Sequence, residues 1–373
     1  MKKIFFKIFQ RILSPFFRIK KRIFFVNFNF NQYSDSPRAI SEKMSVLFPD
    51  YELVWLFRND SIINSGIIPT NKKTIVKKYS HFNFIKYLAS SFCVINNFEY
   101  TWMFYKKRKQ FFIQTYHGDR GFKKVLLMEG YSLKNIRDKY LTDLCVSGSD
   151  FSENITYRKA FDYAGEILKV GIPRNDILVN GKHDCSNIYK FSNVSPRKKI
   201  ILYLPTFRDS NNGFFDNKVN LKQLLKYFGN EYQICFRLHK AIKKTNIVES
   251  ENIIDVTGYY DVMDLLCAAD ILITDYSSCA GDFALTGKPI VLTLFDYDEY
   301  TKSSRELQGD ILHAGLKIAF NMDDLINVFN KTTSKEFQKC DDDFLKYFGT
   351  HETGNSSERV CKIINEEYHK RFQ

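Results

Sequence analysis

The sequence predicts an α/β chain built on parallel sheets and divided into two domains of ordinary size. Residues 260–300 read helix, strand, helix, strand, the order that produces a parallel sheet covered on both faces. The half before residue 180 carries apolar runs of strand length separated by helical patterns. A chain of 373 residues is also too long for one small core, and at 44% hydrophobic residues it is globular.

Within residues 260–300, Val262, Leu265 and Leu266 form the apolar side of a short helix. The strand Ile271-Leu272-Ile273 follows and stops at Thr274-Asp275-Tyr276-Ser277-Ser278. A second helix places Ala280, Phe283, Ala284 and Leu285 at core spacing, and Gly287-Lys288-Pro289 turns into a strand over 290–294. Ligands of such sheets bind beyond the carboxyl ends of the strands. Asp275, Ser277 and Ser278 sit at that junction and suit an anion such as a phosphate. Ser277 and Ser278 also suit plain helix capping, and the stretch alone does not separate the two readings.

The first 25 residues carry eight Lys or Arg and no acid. At 100° per residue Lys3, Lys7, Arg11, Arg18 and Arg22 share one face, and Phe5, Ile8, Phe9, Ile12, Phe16, Ile19 and Ile23 the other. Pro15 is placed to kink the middle. The apolar run is too short to span a bilayer and lacks a cleavage signature, so it predicts a helix lying on an anionic membrane surface. The alternative is a helix packed on its own domain.

Strands are predicted at 24–29, 53–57, 74–76, 92–95 and 111–114. Directly after the last of these come His117, Gly118 and Asp119, then the basic residues Arg120, Lys123 and Lys124. A His at a strand end beside Gly is expected on an exposed loop, within reach of a substrate. Leu144 to Ser149 is a further strand and turn, and Gly171-Ile172-Pro173-Arg174-Asn175-Asp176 a turn cluster. The polar residues 180–198 read as a linker. The second half opens on the strand 199–204, ending at Pro205-Thr206-Phe207-Arg208-Asp209, and the strand 232–238 ends at Arg237 and His239. Arg208, Arg237, His239 and the Asp275–Ser278 loop are therefore expected on one rim of one sheet, as an anion site. Ser356 or Ser357 is expected to cap a last helix over 358–369. These readings divide the chain into 1–25, 26–180, 196–345 and 346–373.

A formal charge of +13 fits an anionic partner or membrane surface. No RNP, zinc-finger or helix-turn-helix signature points to nucleic acid. Walker, GxGxxG and GxSxG motifs are missing, which argues against an NTPase, a dinucleotide enzyme and a serine hydrolase. The eight cysteines occur singly and read as buried thiols in a reducing cytoplasm. No DxD-like or His-cluster metal site stands out, and no cofactor is expected.

These segments, in this order, resemble the CDP-glycerol glycerophosphotransferase family of teichoic acid and capsular polymer synthesis. The carriers are His117-Gly118-Asp119 with Lys123 and Lys124, Gly171 to Asp176, Pro205 to Asp209, Arg237-Leu238-His239-Lys240, the unbroken Thr274 to Ser278 with Asp282 and Lys288-Pro289, and Gly354 to Val360. The match spans roughly residues 110–365. Asp119 departs from the family's Thr, Leu238 and Lys240 from two prolines, and Asn355 from a Lys. Membership implies a GT-B architecture, two Rossmann-like domains across a cleft. It implies transfer of a polyol phosphate, glycerol phosphate first, from a CDP-alcohol to a lipid-linked saccharide or polymer, with CMP released. It implies His117 and His239 as catalytic residues, His117 as the general base. Substrate-binding roles fall to Gly118, Lys123, Arg174, Asn175, Asp176, Thr206, Arg208, Arg237, Asp275, Ser277, Ser278, Asp282, Ser357 and Glu358. The N-terminal helix is expected to hold the enzyme peripherally on the cytoplasmic face of a bacterial membrane. A GT-B glycosyltransferase using a nucleotide sugar is the alternative enzyme, and a non-catalytic scaffold for anionic polymer the alternative outside enzymes.

Overall fold

The computed structural model describes the chain apart from residues 1, 70–71, 99–103, 131–140, 182–183, 192, 209–213, 240–241 and 304–305, and of residues 2–5 and 303 the backbone alone. Asp209, Lys240 and the side chains of Lys3 and Phe5, all used above, lie outside the described residues. The chain forms two compact units. The first comprises Met1–Asp119, Leu126–Asp176 and His351–Gln373, and the second Arg120–Val125 and Ile177–Thr350.

The first unit holds a seven-stranded sheet: β1 (Lys20–Val26), β2 (Glu52–Phe57), β3 (Thr74–Lys78), β4 (Ser91–Asn96), β5 (Phe111–Gln114), β6 (Leu144–Ser147) and β7 (Glu166–Lys169). Their order is β3-β2-β1-β4-β5-β6-β7, and every pairing is parallel. A sheet covered on both faces needs consecutive apolar residues in its strands, and Ile23–Val26 of β1, Leu53–Phe57 of β2 and Phe92–Ile95 of β4 supply them. Ile23, Phe25, Leu53, Trp55 and Ile95 point to one face, against Ile40, Met44, Val360 and Ile364. Phe24, Val26, Val54 and Val94 point to the other, against Phe84 and Leu88. Phe25 and Trp55 stack at 4.7 Å across neighbouring strands.

The second unit holds β8 (Lys199–Leu204), β9 (Phe214–Phe215), β10 (Tyr232–Phe236), β11 (Lys244–Thr245), β12 (Ile253–Asp255), β13 (Ile271–Thr274), β14 (Ile290–Thr293) and β15 (Lys317–Ala319). Six of them form a parallel sheet in the order β12-β10-β8-β13-β14-β15, and β9 pairs with β11. The helix Val262–Ala268 is capped by Asp261, whose Oδ1 accepts the Met263 N–H at 3.0 Å.

Three expectations change. The N-terminal helix runs Lys2–Leu13 and passes through a 3-10 turn, Ser14–Phe16, at Pro15. Residues from Lys20 onward, taken as surface helix to residue 25, are strand β1. Neighbouring Phe24 and Phe25 are both fully buried, which a strand allows on opposite faces and an interfacial helix does not. Second, β7, β12 and β15 were not expected. All three are short edge strands with charged or half-exposed positions, so their apolar signal is weak. Third, the C-terminal segment is not set apart. Its helix, Ser356–Phe372, starts two residues earlier than expected and packs Val360 and Ile364 into the core of the first unit.

In the helix Ser334–Tyr347, Asp341 is buried, and neither carboxylate oxygen has a hydrogen-bond partner among the described residues. Burial, aided by the charge of Asp342, pushes its pKa up to about 8 from 3.8. An acid raised on folding contributes nothing below its unfolded value and destabilises increasingly as pH climbs toward the folded one. Stability of the second unit should therefore fall between about pH 4 and pH 8. Asp341→Asn should flatten that slope and stabilise by about 1–3 kcal/mol at pH 8. Denaturation midpoints against pH test this, and equal slopes in both proteins would refute it.

Candidate active site

The functional side chains gather where chain chemistry predicts, beyond the carboxyl ends of parallel strands. In the first unit His117 follows β5 and is half-buried, not exposed as its loop position suggested. Aromatic rings close on it: Tyr116 at 4.6 Å, Phe28 at 5.3 Å and Phe98 at 5.8 Å between ring centres. Nδ1 donates to the Asn97 carbonyl oxygen at 2.8 Å, which assigns the proton of the neutral ring to Nδ1 and leaves the Nε2 lone pair available. Burial lowers the His117 pKa below the ordinary imidazole value, against the opposing effect of the Asn97 carbonyl. Five non-glycine residues on this edge or just beyond it have positive φ: Phe28, Asn29, Phe30, Asp35 and Tyr116. Left-handed backbone at bulky residues stores strain of about 1–3 kcal/mol each and clusters at functional sites.

The motif Gly171 to Asp176 does different work. Arg174 is buried and pairs with Asp35 at 3.3 Å. Asn175 Nδ2 donates to Glu352 at 2.8 Å, and the Ile172 N–H donates to the other oxygen of the same carboxylate at 3.0 Å. The Asp176 carboxylate accepts the N–H groups of Ser356 and Ser357, both at 2.8 Å. Asp176, from a distant stretch, thus caps the last helix, in place of the expected Ser356 or Ser357 hydroxyl. Ser357 Oγ instead donates to the Pro173 carbonyl at 3.2 Å, and Glu358 pairs with Lys362. Gly171, at φ +92°, leaves no room for a Cβ, which would lie 2.5 Å from Glu352 Oε2 and Ser356 Oγ. Asn175, Asp176 and Ser357, expected to bind substrate, join this turn to the C-terminal segment, and Arg174, expected to do the same, is tied to Asp35. A Cβ at Gly118 would lie 3.4 Å from the Tyr116 ring, an ordinary contact.

In the second unit Thr206 and Arg208 follow β8, Arg237 and His239 follow β10, and Asp275, Ser277 and Ser278 follow β13, three adjacent strands. The Asp275 carboxylate accepts the Thr206 N–H at 2.9 and 3.0 Å. Arg208 donates through Nη2 to Asp275 at 2.9 Å and through Nε to Asp296 at 2.7 Å. Its guanidinium lies 4.7 Å from the Tyr300 ring, and Tyr300 stacks on Tyr276 at 3.7 Å. Burial opposes the Arg208 charge, but Asp275 and Asp296 outweigh it and hold the pKa above its usual value. Arg208, expected to meet the diphosphate itself, is thus committed to two carboxylates. A small recess of about 70 Å³ opens beside this network, lined by Arg208, Lys218, Asp275, Asp296 and Glu299.

Arg237 donates one guanidinium N–H to the Tyr259 carbonyl at 2.7 Å, and burial lowers its pKa. His239 is exposed, its ring 5.6 Å from Phe207. Thr206 Oγ1 is buried without a partner among the described residues. Ser277 Oγ accepts the Cys279 N–H at 3.3 Å, so Ser277 makes the capping contact and Ser278 makes none. Asp282 pairs with fully buried Arg120 at 3.1 Å, and the Lys123 backbone bridges to Leu307. Asp296, Asn97 and Glu352 were missed in the sequence. Asp296 had a signal, since it follows β14, the next strand on the same rim.

Two parallel, doubly wound sheets with functional groups at their carboxyl edges define a GT-B-like transferase scaffold. The family model of CDP-glycerol:poly(glycerophosphate) glycerophosphotransferases matches residues 8–366, and the chain belongs to that family. It is 31% identical to the teichoic acid poly(glycerol phosphate) polymerase of Staphylococcus epidermidis strain RP62A, over 93% of this chain and 51% of the relative. It is 29% identical to the teichoic acid glycerol-phosphate transferase of Staphylococcus aureus strain NCTC 8325, over 92% of this chain and 93% of that one. It thus spans about half of the first relative and nearly all of the second. The solved wall teichoic acid polymerase TagF superimposes with a TM-score of 0.83 at 28% identity, covering 98% of this chain and 95% of that one.

Replacing Arg208 by Met strands the buried carboxylate of Asp275 and the half-buried one of Asp296, so we expect a loss of about 3–5 kcal/mol from the second unit. Ser277→Ala, at a single 3.3 Å contact, should lose about 1 kcal/mol or less. Urea denaturation followed by fluorescence compares the two, and equal losses would contradict the network.

Proposed function

We propose that this chain transfers glycerol phosphate from CDP-glycerol to a hydroxyl of a teichoic-acid-type polymer or its lipid-linked primer. The acceptor oxygen bonds to the glycerol-bearing phosphorus, the bond from that phosphorus to the CMP oxygen breaks, and CMP leaves. The observation that carries this reading is the family match over nearly the whole chain. His117 is the general base, taking the hydroxyl proton on Nε2. Its carbonyl-fixed Nδ1 and its burial among aromatic rings support the role, because both favour a neutral ring with a free Nε2. His239, Arg237 and the orphaned Thr206 hydroxyl are groups for the diphosphate, while Arg208 and Asp275 hold the loop that presents them. Placing donors before charge develops avoids reorganisation during the reaction.

His117→Ala should abolish CMP release while CDP-glycerol still binds, and a remaining rate within about tenfold of wild type would remove His117 as base. Since the base must be neutral and its pKa is lowered, the acid limb of kcat/KM should lie below the ordinary imidazole value of about 6.5. A limb at or above pH 7 would contradict the assignment.

The N-terminal helix supports attachment to a membrane surface. Phe6, Leu13 and Phe17 pack on the core, and Gln10 accepts the Tyr105 N–H at 3.1 Å. Ile8, Phe9, Ile12 and Phe16 stay exposed, Phe16 at 80%, and exposed Phe82 lies against Phe17. No described helix is long and apolar enough to cross a membrane. Changing Ile8, Phe9, Ile12 and Phe16 together to Ser should release the protein from anionic vesicles in sedimentation without altering its melting point. Deleting residues 2–22 is not an equivalent test, because it removes the start of β1. Full vesicle binding by the Ser variant would place the attachment elsewhere.

A further inference from the structure

Cysteines that occur singly in the sequence need not be single in space. Cys185 precedes the 3-10 turn Ser186–Lys190, and Cys267 lies in the helix Val262–Ala268. Both are half-exposed, and the Cys185 thiol is hydrogen-bonded to the Cys267 thiol. The segment carrying Cys185 is strapped to the unit beyond this contact. Ile188 is fully buried, and Phe191 meets Tyr259 edge-to-face at 5.3 Å. The ammonium of Lys288 donates to the carbonyls of Cys267 at 3.4 Å and of Ala269 at 2.6 Å, which puts a positive charge beside the pair. Of the other six cysteines, Cys93, Cys145, Cys235 and Cys361 are buried, and Cys279 and Cys340 are half-exposed.

We propose that Cys185 and Cys267 form an oxidative modification site, which a hydroperoxide converts into an intramolecular disulfide. The hydrogen bond to Cys267, then burial, hold the Cys185 thiol above its ordinary pKa, with Asp264 adding to this and Lys288 opposing it. Whichever of the two sulfurs is deprotonated is the nucleophile. Its thiolate attacks the peroxide, the O–O bond breaks, and with one proton the products are a sulfenic acid on that cysteine and water (or an alcohol). The partner thiol then attacks the sulfenic sulfur, the S–O bond breaks, and the thiol proton leaves with the hydroxyl as water. The two sulfurs together lose two electrons, and the peroxide gains them. A dithiol reverses the reaction by exchange. The disulfide closes a loop of about 80 residues and restricts the unfolded chain. It fixes the strap to the helix that follows Tyr259, whose carbonyl holds Arg237.

The test treats the full chain with hydrogen peroxide, alkylates with iodoacetamide, and maps non-reduced peptides by mass spectrometry. We expect a peptide joining Cys185 to Cys267, two hydrogens lighter than the separate peptides, reversed by dithiothreitol and scarce when the chain is oxidised in urea. Cys185→Ser and Cys267→Ser should each yield no cross-link and stop at a sulfenic acid on the remaining cysteine, which dimedone traps. The proposal is overturned if both thiols alkylate as readily after peroxide as before. It is equally overturned if the pair forms no faster in the folded chain than in urea.

Discussion

A guanidinium held between two carboxylates organises the second unit's functional edge. Arg208 follows β8, Asp275 follows β13 and Asp296 follows β14, so one side chain ties together the exits of three adjacent strands. Burying such charges carries a desolvation penalty of several kcal/mol per ion, and only good geometry with further hydrogen bonds offsets it. Both conditions are met here. Arg208 also donates to the Thr206 carbonyl at 2.6 Å, and the Thr206 N–H returns to Asp275. The network adds little net stability against a hydrophobic substitute, but it leaves one arrangement of the loops with every charge satisfied. Specificity of loop conformation is what the proposed phosphate-handling role requires, because donors must be in place before charge develops.

The first unit achieves rigidity by another route. Glu352 and Asp176 each serve backbone N–H groups from a distant segment, so the last helix is anchored at its first turn by residues far away in sequence. Around His117 the backbone is held in left-handed conformations at Phe28, Asn29, Phe30 and Tyr116. Such strain persists only where surroundings over-determine it, and the aromatic packing and the Asn97 bonds to the Phe28 N–H and to His117 supply that here. Strain near the imidazole and relaxed, capped geometry at the C-terminal joint are two sides of one design: a fixed ring on a stiff support.

Much of this was legible from residue patterns. The runs Leu53 to Phe57, Phe111 to Ile113 and Ile200 to Leu204 announce themselves as unbroken apolar stretches, which two-sided burial demands. The convergence of Arg208, Arg237 and Asp275 on one rim followed from topology alone. Partnership was not legible. Nothing local distinguishes a charge that meets a ligand from one that meets Asp296 or Asp35, since the partners lie 88 and 139 residues away. The same distance hid the Cys185–Cys267 contact. The β1 misreading has a different cause, because Ile19 and Ile23 fit a helical period and a continuous strand equally well. Only the adjacent pair Phe24 and Phe25 breaks the tie.

The N-terminal helix shows how magnitudes apportion one pattern between two surfaces. Its inward side chains, Phe6 and Leu13, are spent on the domain core, so the basic face and the remaining apolar residues must account for any attachment to lipid. Fully burying an aliphatic or aromatic side chain is worth about 1.5–3 kcal/mol. Four exposed residues, even half-inserted, therefore contribute about 3–6 kcal/mol. A basic residue near an anionic leaflet adds about 1 kcal/mol, and salt screens that share. In the proposed attachment, apolar insertion would set the strength and the Lys and Arg residues the preference for anionic lipid. Packing on the domain leaves Phe16, in the turn that follows the helix, exposed, and the proposed attachment is the use such an apolar surface would have.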